Sequence, residues 1–141
     1  MRVHDPNSGS ECNGCNEKLK QAHPILATWF RRKKAKYPNL HIAWGWRGQV
    51  EQEEYFSAGK SDVHYPHSKH NARDSDGNPR SLALDLFQIT EDGDATWSKP
   101  FFARLNEENR QMREPIRWGG TFKLRNGSGD ACHFELLVAS A

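Results

Sequence analysis

No stretch of the 141 residues is apolar for more than a few positions. The longest runs, such as Ile25 to Ala27 and Leu136 to Ala139, fall far short of the roughly 20 residues a helix needs to cross a bilayer. The start, Met1 to Ser10, has a single Arg2 and no apolar segment behind it, so the expectation is synthesis in the cytoplasm without a signal peptide. An excess of one charge is missing too. Twenty Lys and Arg stand against 18 Asp and Glu, a net charge of +2 that gives no electrostatic case for nucleic acid. Cysteine is scarce: Cys12, Cys15 and Cys132 are odd in number, which excludes an all-paired disulfide framework. Cys12-x-x-Cys15 needs two more ligands to chelate zinc, and no second Cys-x-x-Cys exists. His4 and His23 are the candidates to complete such a site; the preferred reading is two unliganded thiols near a loose N-terminus, and either case fits a reducing compartment. Repeats and low-complexity linkers are also absent, so one domain spanning 1–141 is expected, with 1–18 loosely ordered.

What the chain does have is aromatic weight. Five Trp, seven Phe and three Tyr are more than a disordered chain carries, so a folded core is expected. Pro24 to Tyr37 has Pro in its first turn and an apolar stripe of Ile25, Leu26, Trp29 and Phe30, the pattern of a helix. Its remaining face, with Arg31, Arg32, Lys33, Lys34 and Lys36, is expected to be solvated, or to meet an anionic polymer such as the cell wall. Leu40 to Trp46 reads as a strand, Gln49 to about Ala58 as a short helix and Ser81 to Ile89 as a strand. Lys99 to Arg113 reads as a helix burying Phe101, Phe102, Leu105, Asn109 and Met112, and is ended by Pro115. Trp118-Gly119-Gly120 and Asn126-Gly127-Ser128-Gly129 are turn signals, and Ala131 to Ala139 is the last strand. The fold class is α+β, a small antiparallel sheet with helices packed on it. Between Gly59 and Arg80 lies a polar loop long enough to be functional.

Side chains alternate across a strand. In the last one, Cys132, Phe134, Leu136 and Val138 form an apolar face, while His133 and Glu135 open the other. In the Ser81 strand, Leu82, Leu84 and Leu86 share one face, and Asp85 lies on the opposite one. If the two strands pair, an imidazole and a carboxylate meet on the open face of the sheet. The segment Ser68-Lys69-His70-Asn71 offers a further imidazole, and two imidazoles with a carboxylate are a known zinc set that leaves one position for water. Asp130 sits in the turn before His133, where it can curl towards that position. Glu135 either orients a ligand or is a solvated edge residue. Asp74-x-Asp76-Gly77-Asn78 reads as a plain polar turn, since the later ligands of a calcium loop are missing.

Ser68-x-His70, Ala83-Leu84-Asp85, Trp118-Gly119-Gly120 and Asp130-x-x-His133-Phe134-Glu135, in that order, resemble the D-alanyl-D-alanine metallopeptidase family. That family includes VanX- and VanY-type peptidases and the L-alanyl-D-glutamate endopeptidase branch of phage endolysins. Gly45-Trp46-Arg47, Gln52, Gly59-Lys60-Ser61 and the helix after His23-Pro24 are similar as well, so the resemblance spans about Leu19 to Val138. It implies that His70, Asp85 and His133 are ligands of a zinc ion on the open face of the sheet. Asp130 would be the general base and Arg47 the group facing the oxyanion, with Ser68, Gln52 and Trp118 in supporting or substrate-lining places. One departure is that His70 and Asp85 are fifteen positions apart, longer than the family's usual spacing. Ala72 to Arg80 read as a hairpin-like insertion there, and His67, then His64, are the rival first ligands; His4, His23 and His41 are expected at surface and loop positions.

The implied activity is hydrolysis of a peptidoglycan stem-peptide bond, most closely that between L-Ala and D-Glu. The alternatives are a D-Ala-D-Ala carboxypeptidase and a non-catalytic, zinc-containing cell-wall recognition domain. Such an enzyme would reach the wall after release from the cell or as part of a virion.

Overall fold

The computed structural model describes residues 12–122, 124 and 129–137. In chain order these form α1 (Asn13–Leu19), α2 (Pro24–Lys36), β1 (Leu40–Trp44), α3 (Gln49–Ser57), β2 (Ala83–Ile89), β3 (Ala95–Thr96), α4 (Lys99–Gln111), β4 (Ile116–Trp118) and β5 (His133–Leu136). The strands make one antiparallel sheet in the order β1-β2-β5-β4, with β3 added to β2. The chain is therefore α+β, as the alternation of periodicities predicts.

The core lies between one face of the sheet and helices α2 and α4. Leu40, Ile42, Leu84, Leu86, Phe134 and Leu136 are fully buried, the alternate positions of their strands. Trp29 of α2 packs on Phe134 with ring centroids 5.4 Å apart, and Phe102 of α4 meets the same ring at 6.1 Å. The Trp29 indole N–H donates to Asn109 Oδ1 at 2.8 Å, so the polar edge of the largest core side chain is satisfied. Ser98 caps α4, its hydroxyl accepting from the Phe101 N–H. The helix stops at Gln111, two residues before Arg113 enters the left-handed region at φ 55°, and Met112, expected inside, is 62% exposed.

The N-terminal segment differs from its expectation. Residues 13–18, read as loose, belong to α1, and Cys12, Cys15 and Leu19 are buried in the core. Two apolar side chains, Cys15 and Leu19, in a polar heptapeptide leave too weak a periodicity to read. His41, expected at the surface, is fully buried against Phe87. Part of the basic face of α2 is also inside: Lys34 donates to the carbonyls of Pro38 and Leu40, and Lys33 to Glu108 Oε1 at 2.9 Å. The turn residues Asn126 to Ser128 and the end of the last strand, 138–139, lie outside the described residues.

Glu108 also accepts from Lys36 and from the Tyr37 hydroxyl, so one carboxylate ties α4 to the end of α2. Burial opposes its charge, but bonds from Tyr37, Lys33 and Lys36 outweigh that and hold it at about 2, against an ordinary 4.5. A depressed carboxyl stabilises the fold above its unfolded value, and that stabilisation disappears as pH falls through the folded one. Glu108→Gln is expected to lose about 1.5–3 kcal/mol near pH 7, the range for a hydrogen bond to a charged group. The gap from the unmodified protein should close between about pH 4.5 and 2, as read by denaturant unfolding.

Candidate metal centre

Pairing of β2 with β5 sets Leu84 opposite Phe134 on the core face and, one residue on, Asp85 opposite His133 on the other. The register that closes the core therefore also brings a carboxylate to an imidazole. His70 reaches the same point from a single 3-10 turn, Lys69–Asn71. Ser68 begins that turn: its hydroxyl accepts from the His70 N–H, and Asn71 Oδ1 accepts from the Ser68 N–H at 2.9 Å. The Asn71 amide donates to the Arg47 carbonyl at 2.9 Å, and the Arg47 N–H to the His70 carbonyl at 2.8 Å, which joins the turn to the segment after β1.

Three donor atoms converge. His70 Nε2 lies 3.2 Å from Asp85 Oδ1 and 3.3 Å from His133 Nδ1, and His133 Nδ1 lies 3.1 Å from Asp85 Oδ1. A tetrahedral ion with nitrogen and oxygen donors at about 2.0–2.1 Å spaces them about 3.3–3.4 Å apart, so the set fits zinc closely. The outer nitrogens are engaged as a ligand set requires. His70 Nδ1 donates to the Gly45 carbonyl at 2.7 Å, which turns the Nε2 lone pair inward, and His133 Nε2 donates to Glu135 Oε1 at 2.8 Å. Lys69 holds the other Glu135 oxygen at 2.7 Å. Glu135 is buried, so of its two sequence readings the orienting one matches its place.

Charge is tuned by these neighbours. Burial lowers His70, whereas for His133 the bonds to Asp85 and Glu135 overcome burial and raise it to about 9. Burial opposes the charge on Asp85, yet the two imidazoles hold its carboxyl well below the usual range. Asp130, with Oδ2 3.7 Å from His133 Nδ1, is pushed the other way to about 6 by burial and by the charge of Asp85. A carboxylate poised near neutral pH beside this donor cluster suits proton transfer.

Gly119 explains how Asp130 comes so close. A Cβ there would stand 2.6 Å from the Asp130 carbonyl oxygen and 2.9 Å from His133 Cβ, so only glycine lets the two segments meet. Trp118 does not line the cleft: its ring lies over Gly120 and its N–H donates to the Ala131 carbonyl at 2.7 Å, bracing the same turn. Gln52 is also away from the cleft, fully buried, donating to Ser61 Oγ and the Val63 carbonyl so that the loop after α3 is held to that helix. Arg47 does line it. Its guanidinium is 3.4 Å from Asp85 Oδ2 and sits 4.3 Å above the Tyr55 ring, and its Nε has no hydrogen-bond partner among the described residues.

The rival histidines are exposed, His64 paired with Glu53, and neither joins the donor cluster. Ala72 to Arg80 close on themselves: Arg73 bridges Pro79, Gly77 turns at φ 83°, and the Arg80 N–H returns to the Ala72 carbonyl. This closed loop leaves His70 beside Asp85. Tyr55 and Lys69 carried no sequence signal, because their roles arise only from contacts made across the cleft. The cleft itself is about 680 Å³, lined by the donor cluster together with Asp130, Arg47, Ser68 and Tyr55.

No family model matches the sequence, and none of the curated proteins is similar to it. Among solved structures, the crystal structure of the Serratia marcescens L-Ala D-Glu endopeptidase ChiX shares the fold, with a TM-score of 0.60 and 24% identity over 86% of this chain and 85% of that one.

Proposed function

We propose that the protein is a zinc-dependent peptidase that cuts peptidoglycan stem peptides, with the bond between L-Ala and D-Glu as its target. The observation that carries this reading is the convergence of His70, Asp85 and His133 at tetrahedral spacing on the floor of a cleft that also holds Asp130. The fold shared with a solved L-Ala D-Glu endopeptidase supports the choice of substrate.

In this reading His70, Asp85 and His133 hold the ion, which supplies Lewis-acid activation at neutral pH. Asp130 takes the proton of the attacking water and returns it to the leaving amine, a role matched by its raised carboxyl. Arg47 faces the developing oxyanion through donors that Asp85 does not use, and the Tyr55 ring beneath it keeps the guanidinium in place. Ser68 acts at one remove by capping the turn that carries His70.

Purified cell walls incubated with the protein should lose turbidity, a chelator should stop the loss, and mass analysis should find stems with a new amino terminus on D-Glu. Release of terminal D-Ala alone would make the protein a carboxypeptidase. Wall binding without any cleavage would leave a recognition domain.

A further inference from the structure

We propose that Cys12, Cys15 and His41 form a second metal site, which takes zinc and fastens α1 to β1. Cys12 Sγ is 3.4 Å and Cys15 Sγ 3.6 Å from His41 Nδ1, and all three ligand atoms lie within 4.8 Å of one another. Zinc–sulfur bonds of about 2.3 Å and zinc–nitrogen bonds of about 2.0–2.1 Å at a tetrahedral angle put sulfur and nitrogen about 3.6 Å apart. Both sulfur–nitrogen distances therefore already match edges of a zinc tetrahedron. The fourth corner is left to water or another donor.

The bond with Cys12 and burial push the Cys15 thiol up, so metal binding would have to release its proton. Cys12 is the N-cap of α1 and its sulfur accepts the Cys15 N–H at 3.2 Å, while the Cys15 sulfur accepts the Ile42 N–H at 3.4 Å. Each sulfur thus has one backbone donor, one from the helix and one from the strand, and at Cys15 the Ile42 N–H acts against the rise. Two thiolates and an imidazole select zinc over magnesium or calcium. All three side chains are buried, none belongs to the first centre, and α1 has little else apolar to dock it: Leu19 is its other large buried side chain. Binding would thus act as folding energy for the N-terminal helix.

The test uses the full chain with Cys132→Ser, in which Cys12 and Cys15 are the remaining thiols. Purified under reductant and loaded with cobalt(II), it should show an intense near-ultraviolet sulfur-to-cobalt charge-transfer band that zinc displaces and that a further Cys15→Ser removes. His70, Asp85 and His133 bring no sulfur, so the band reports this site whether or not the peptidase reading holds. Saturation with cobalt and no such band would overturn the site. So would an intact mass lighter by a pair of hydrogens, showing Cys12 and Cys15 joined as a disulfide. If the doubly changed protein fails to fold, the band in the Cys132→Ser chain decides the question alone.

Discussion

Asp130→Asn is expected to lower turnover on cell-wall stem peptides by about 10²–10⁴-fold while leaving the metal content unchanged. The substitution keeps the shape of the side chain and removes its ability to accept a proton. The Asp130 carboxylate comes no nearer than 3.7 Å to the His133 ring nitrogen Nδ1, and the three donors at 3.1–3.3 Å are complete without it. Its raised carboxyl follows from a position that is desolvated and close to Asp85, the setting of a base rather than of a structural ion pair. Single-turnover rates and the metal-to-protein ratio, measured on one preparation, check both halves. A variant that turns over at the original rate would remove Asp130 as the base, and one that loses metal would make it a ligand.

His133→Ala is expected to abolish turnover and to lose the metal of the first centre as well. Only His70 and Asp85 would remain of the ligand set, and the Glu135 carboxylate would lose the imidazole it orients. Disturbing such an outer partner alone commonly weakens metal binding 10–100-fold, so removal of the donor itself should exceed that range in a calorimetric zinc titration. Retention of the original affinity would take His133 out of the set. The contrast between the two variants, activity lost with and without the ion, separates a proton carrier from a ligand.

Much of the fold was legible because the strands that matter most alternate cleanly. Leu82, Leu84 and Leu86 against Asp85, and Phe134 and Leu136 against His133 and Glu135, state which face is core before any pairing is known. What stayed hidden depends on partners distant in sequence. The three residues of β4 qualify as a strand only because β5 lies beside them, and β1 shifts register between Ile42 and Trp44, which breaks the alternation expected through Trp46. The burial of Lys33 likewise comes from a carboxylate 75 positions away. Around the candidate centre, residue types marked the donors, but Trp118 and Gln52 turned out to brace loops at a distance from the cleft, a distinction that only packing makes.

The placement of Asp85 and His133 as direct neighbours across two central strands has a consequence for how the molecule tolerates change. A loop such as Ala72 to Arg80 can take extra residues, because it bulges into solvent and its ends rejoin at the same point. A single residue gained or lost within β2 or β5 would instead swap inside for outside along that whole strand, spoiling hydrophobic burial and the donor cluster in one event. Engineered insertions should therefore be tolerated in the exposed turn at 72–80 and not within the central ribbon.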